Sequence, residues 1–220
     1  MARIPRCIPD ERFNQLFAGL GSHRDRALVS LWVSTGARAA ELLGARCGDL
    51  DAGQQVITVV RKGARAVQQI PASPDAFVWV RLYQCTLDSS TPIGRDDPLW
   101  WTRRRPLRAL SYPAARAGFT RVNPVLGANW SLHDLRHTAA YRMARDPRLP
   151  LTDVQWVLGH AQLSTTQLYL NPMPSEVIAA VLAHHRRAPD GALPAGAADG
   201  GPVSEYRAES LDTLFSRRSS

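Results

Sequence analysis

Arg38, in "STGARAAELL", and Arg136, in "SLHDLRHTAA", are guanidinium groups set in segments otherwise suited to packing. Two arginines can grip the non-bridging oxygens of one phosphate, with a bidentate geometry that lysine lacks. His133 stands three residues before Arg136, a spacing that puts both on one helix face. In "VLGHAQLSTTQLYL", His160 follows a glycine at an expected helix end, and Tyr169 comes nine residues later between two leucines. A phenol becomes a nucleophile when a neighbouring histidine takes its proton. A histidine just past a helix end can give a phosphate one more hydrogen bond. Singly, each has an ordinary reading as well: a solvated His/Arg face, or a core tyrosine with its hydroxyl satisfied.

Such a set still needs an acid for a departing alkoxide. Lys62, in "VITVVRKGARAVQQI", is the only lysine among 27 Lys and Arg residues. Compositional drift toward arginine would explain this without any function. A site that must give up a proton would explain it too, because lysine, near 10.4, can be tuned down while arginine holds its charge.

Helix starts and stops bracket most of these groups. "PDERFNQLFAGL" opens on Pro9-Asp10 and places Phe13, Leu16 and Phe17 on one face. "RDRALVSLWVSTG" repeats the pattern with Leu28, Leu31 and Trp32, and Gly36 is its expected stop. "ARAAELLGA" reads as a short helix carrying Arg38 and Glu41. From Gln54 the pattern changes: β-branched "QQVITVV" and alternating "RAVQQI" flank Lys62-Gly63, a hairpin with Lys62 at or beside the turn. "SPDAFVWVRLYQCTL" returns to helix, with Ser73 as N-cap and Pro74 at the first position. Residues 87–108 form a basic loop whose Arg103, Arg104 and Arg105 suit either phosphate contacts or plain solvation. Helices follow at "YPAARAGFTRVN", "SLHDLRHTAAYRMAR", "LTDVQWVL" and "PSEVIAAVLAHHRR". The expected class is mainly α with a small antiparallel β-sheet (α+β).

Length and composition fit one folded domain over residues 1–187. An Ala/Gly/Pro-rich linker, 188–203, cannot bury enough to order itself. In the tail, 204–220, Leu211, Leu214 and Phe215 mark either a short docking helix or a frayed end. Net charge is +8 and the pI about 10.2, which favours a polyanionic partner, nucleic acid before anionic membrane. The three cysteines form no C-x-x-C pair, against a zinc site or disulfide framework and in keeping with a reducing cytoplasm. No apolar run nears the roughly 20 residues of a membrane span, and "MARIPRCIPDERF" has no signal-like apolar segment. No phosphate-binding G-x-x-x-x-G-K-[ST] run and no carboxylate cluster for two-metal hydrolysis is present. A cytoplasmic protein without membrane, metal or cofactor is the expectation.

Taken in order, "TGARAAEL" with Arg38, "RKGAR" with Lys62, "HDLR" with His133 and Arg136, "LGH" with His160 and "TTQLY" with Tyr169 resemble the catalytic domain of the tyrosine recombinase (phage integrase) family. The resemblance covers roughly residues 8–186. It implies that family's catalytic-domain fold and the cutting and rejoining of double-stranded DNA without metal or nucleotide. Tyr169 would attack a scissile phosphate, forming a 3′-phosphotyrosine and freeing a 5′-hydroxyl. Arg38 and Arg136 would stabilise charge building on the phosphate, His133 would be the base for Tyr169, His160 a phosphate donor and Lys62 the acid. Glu41 would support Arg38, and His137, in "LRHT", would be supporting or structural.

Members of the family usually carry a helical DNA-gripping domain ahead of this one, whereas 37 residues precede Arg38 here. The expected partners are therefore DNA together with other copies of the chain, or a protein supplying the missing clamp. A non-catalytic DNA-binding remnant is the alternative reading. A type IB topoisomerase-like relaxing enzyme is a third, to which "LGH" is less suited. The family often passes a C-terminal segment to a neighbouring protomer, so "SEYRAESLDTLF" is a candidate for that role.

Overall fold

The computed structural model of the chain describes residues 6–61, 66–170 and 174–186. It divides into two compact units, Met1–Pro172 and Met173–Ser220. The expected linker and tail, 188–220, lie outside the described residues, as does the hairpin tip with Lys62.

Helix α1 (Asp10–Gly19) leads to α2 (His23–Thr35), the centre of the first unit. Ser22 caps α2 by accepting from the Asp25 amide, and Gly36, left-handed at φ 63°, ends it by donating back to the Trp32 carbonyl. Ala27, Leu28, Val29, Leu31 and Trp32 are all buried, so the helix is apolar on more than one side and packs against several elements at once. Its partners include α4 (Pro74–Gln84) and α6 (Leu132–Arg145). Ser73 and Pro74 open α4 as expected, although the Ser73 side chain makes no capping bond.

Between them, α3 (Ala39–Leu43) and a 3₁₀ turn lead into an antiparallel sheet of β1 (Leu50–Asp51), β2 (Val56–Val60) and β3 (Val67–Pro71), in that order. Ile57 pairs with Ile70, and both face the core with Val59, the period-two alternation a half-buried strand requires. The short strand β1 carries no pattern of its own; it exists because Leu50 and Asp51 fall in register with Ile57 and Val56. Residues 87–108 are a loop, anchored where buried Trp100 donates its indole N–H to the Leu42 carbonyl at 2.8 Å.

After α5 (Tyr112–Val122), α6 starts on a capping box in which Ser131 and Asp134 exchange side-chain and backbone bonds. Helix α7 (Leu151–Leu158) ends at left-handed Gly159, and a five-residue helix, α8 (Leu163–Gln167), precedes Tyr169. The second unit is described only through α9 (Pro174–Arg186). Among the described residues the structure is thus mainly helical with one small antiparallel sheet.

A side chain at Gly36 would be strained twice: its φ is left-handed, and a Cβ would stand 2.6 Å from Leu158 Cδ2. Gly36→Ala is expected to cost about 2–4 kcal/mol, the sum of the left-handed penalty and local overpacking. Denaturant unfolding measures it as a lowered midpoint at unchanged slope.

Candidate active site

The end of α7 is the meeting point. The last carbonyls of a helix lack partners within it, and here three successive ones are taken by three arginines from elsewhere. Arg61 donates to Val157, Arg136 to Leu158 at 2.8 Å, and Arg38 to Gly159 at 3.2 Å. Arg136 also donates to the Gly36 carbonyl at 2.5 Å, tying the ends of α2 and α7 together through one guanidinium. Glycine at 159 meets two needs. Its φ is 62°, and an added Cβ would lie 3.0 Å from the Arg61 Nε.

Arg38 is the N-cap of α3 and reaches the site from that helix's first turn. Its backbone N–H donates to Glu41 Oε2 at 2.7 Å and its Nη1 to Oε1 at 3.1 Å, leaving 34% of the side chain exposed. Arg136, one turn into α6 from the capping box, is only 5% exposed. Burial lowers its pKa, helped by the charge of Arg38, to about 10, so the group is still a cation near neutral pH. Burial pushes the Glu41 carboxyl up, but the Arg38 amide and the charges of Arg61 and Arg38 outweigh it and hold the pKa below the usual carboxylate range.

Tyr169 is 5% exposed and packs with Ala140, Val154 and Leu158. Burial raises its pKa against the pull of the Arg136 charge, so the resting group is the phenol. Its hydroxyl lies 2.8 Å from Nδ1 of His137, and its ring stacks on His160 with centroids 6.3 Å apart and planes at 9°. His160 is fixed by its Nδ1 contact to buried Thr166 Oγ1 at 2.9 Å and by Gln155, which donates to its carbonyl at 3.0 Å. Both imidazoles are kept neutral, with pKa values near 4: burial is the first cause for each, with His133 next for His137 and the arginines next for His160.

Six of the residues singled out from sequence therefore share one neighbourhood: Arg38, Glu41, Arg136, His137, His160 and Tyr169. His133 is exposed one turn before His137 and packs edge-on against it, centroids 4.3 Å apart. The ring in contact with the phenol is that of His137. Arg103, Arg104 and Arg105 lie elsewhere, exposed on the 87–108 loop, where Arg105 pairs with Asp88 at 2.8 Å. Arg61 was not anticipated, yet a signal for it exists. Ile57, Val59 and Arg61 alternate with outward Thr58 and Val60, so strand periodicity puts Arg61 on the core face.

Residues 10–176 match the model of the phage integrase family. The tyrosine recombinase XerD of Neisseria meningitidis serogroup B is 29% identical over 197 residues, covering 84% of this chain and 64% of that protein. The tyrosine recombinase XerC of Pseudomonas aeruginosa is 30% identical over 210 residues, covering 90% of this chain and 64% of that one. The chain thus spans somewhat less than two thirds of these relatives. Among solved structures, XerA recombinase superposes with a TM-score of 0.68 at 21% identity, over 86% of this chain and 68% of that one. XerH recombinase bound to a palindromic difH substrate, in a post-cleavage complex, gives 0.66 at 20%, over 83% and 54%. The fold with its arginine-clasped helix end and the match along most of the sequence lead to one conclusion: this chain belongs to the phage integrase family of tyrosine recombinases.

Proposed function

We propose that this chain carries the catalytic centre of a site-specific DNA recombinase, which cuts and rejoins a strand through a phosphotyrosine. The observation that supports it most is the convergence of Arg38, Arg136, His160 and Tyr169 on the end of one helix, from segments far apart in sequence. Two guanidiniums already fixed in place can stabilise the charge that grows on a phosphate without reorganising, and losing such a donor typically costs about 10²–10³ in rate.

In the proposed step the Tyr169 oxygen bonds to phosphorus while the bond from phosphorus to the 5′-oxygen breaks. The phenolic proton passes to neutral His137 at Nδ1, the nitrogen 2.8 Å away. Exposed His133, packed edge-on against His137, takes that proton onward toward solvent or DNA. Lys62 gives a proton to the departing 5′-oxygen, and His160 donates to the phosphate. A second 5′-hydroxyl reverses the sequence, so the covalent link conserves the bond and no nucleotide is consumed. Because Tyr169 is buried, the segment 163–170 must shift to admit DNA, with the His137–Tyr169 contact kept as the phenol attacks. Exchange between duplexes calls for several copies on DNA, and acting on chromosomal DNA implies the cytoplasm. The site-bearing catalytic domain extends through 187, with 188–203 as linker and 204–220 as tail.

Nicked suicide duplexes drawn from a randomised pool should trap the protein covalently on DNA, and Tyr169→Phe should abolish the adduct while keeping DNA affinity. Affinity without any adduct from the parent chain would instead favour a non-catalytic DNA-binding role. Lys62→Arg should bind as well as the parent yet cleave more slowly, with the rate restored when sulfur replaces the bridging 5′-oxygen. A normal rate would make the lone lysine an accident of composition.

The neutral imidazoles add a pH dependence. His137 and His160 titrate near 4 in the folded chain against a usual 6.5. Between these values the unfolded chain binds protons that the folded one does not, so stability is full above about 6.5 and falls as pH drops toward 4. Thermal unfolding followed from pH 7 to pH 4.5 should show this decline, and it should be shallower in His137→Gln.

A further inference from the structure

Arg61 is 7% exposed, directly after β2, and its guanidinium joins three elements. Nε donates to Gln68 Oε1 across the hairpin at 2.7 Å, Nη1 to Glu41 Oε2 on α3 at 3.0 Å, and Nη2 to the Val157 carbonyl on α7. Arg61 extends the β2–β3 pairing as well, through its own N–H to the Ala66 carbonyl at 2.9 Å. All three side-chain positions of the fork are used, which only the planar, five-donor arginine permits.

Glu41 is the shared acceptor. Its Oε2 receives both Arg61 Nη1 and the Arg38 backbone N–H, while Oε1 receives Arg38 Nη1. One buried carboxylate is thus balanced between two cations, one buried and one with an exposed side. Remove the buried cation and the whole negative charge of Glu41 falls on Arg38. That would offset the positive charge Arg38 presents. Lost too would be the brace that spaces α3 from the end of α7.

We infer that Arg61 is a positioning residue: by engaging Glu41 and the Val157 carbonyl it holds Arg38 at the place and charge needed to meet a phosphate. The inference rests on the function proposed above, in which Arg38 stabilises charge on that phosphate. Arg61 itself touches no reacting atom.

The test uses the full chain with Arg61→Met, Arg61→Lys and the double variant Arg61→Met/Glu41→Gln. On a trapped phosphodiester site, Arg61→Met should slow cleavage by about tenfold to a hundredfold, as expected for a misplaced catalytic group. The double variant, which removes the excess negative charge, should cleave faster than Arg61→Met. Arg61→Lys, which keeps the charge but loses the fork, should fall between Arg61→Met and the parent. On a site whose scissile phosphate is replaced by an uncharged methylphosphonate, Arg61→Met and parent should converge. Equal losses on both substrates, or no loss on either, would overturn the inference.

A second measurement needs no cleavage: exchange of the Arg38 amide, whose acceptor is Glu41. It should quicken at least about tenfold in Arg61→Met or Arg61→Lys, while core amides of α2 and α6 keep their protection. An unchanged Arg38 amide would overturn the role of Arg61. Absence of any adduct from the parent chain would count against the proposed function, and the exchange result alone would then decide for or against Arg61.

Discussion

Three consecutive carbonyls at the end of α7 each accept from a different arginine, and most of the first unit is arranged so that this can happen. A helix end offers unpaired carbonyls and the negative pole of the macrodipole, a natural seat for cations. Three guanidiniums side by side repel one another, so the carbonyls alone would not hold them. Glu41 supplies the missing negative charge to Arg38 and Arg61, and burial keeps that attraction unscreened. The result is a cluster of cations held in place by the fold itself.

Stability and the electrostatics of the site are therefore tied to the same contacts. Arg136 bonds the carbonyl of Gly36, just past α2, and that of Leu158, the last residue of α7, so one guanidinium fastens two helices. Glu41 sits inside with Arg61, and breaking a buried pair of this kind by removing one member typically costs about 3–5 kcal/mol. The same field reaches the next residues along. His160 follows Gly159 and is neutral partly because Arg136 and Arg38 stand beside it, which keeps it from adding a further charge to a crowded site. Tyr169 remains a phenol for a related reason, its burial outweighing the arginine nearby.

Much of this was legible in the residues. Gly36 and Gly159 read as helix stops because a left-handed terminus suits glycine, and both φ values agree. Periodicity marked α2, α4, α6 and the β2–β3 hairpin, since each buries a recognisable face. What escaped had physical reasons. Strand β1 is two residues long and α8 five, too short for any period to show, and both depend on tertiary neighbours. Arg61 escaped because an arginine before an expected turn reads as solvated, although its place in line with the inward residues of β2 was available from alternation. The pairing of His137 with Tyr169 joins residues 32 positions apart, and helical spacing alone makes His133 and His137 equal candidates.

A crystal structure of the Tyr169→Phe chain with a duplex carrying its cleavage site would test the central claim most directly. The account predicts the scissile phosphate within about 3 Å of both Arg38 and Arg136, hydrogen-bond reach, while each arginine keeps its carbonyl at the end of α7. A phosphate bound elsewhere, or arginines that reach it only after leaving Leu158 and Gly159, would contradict it.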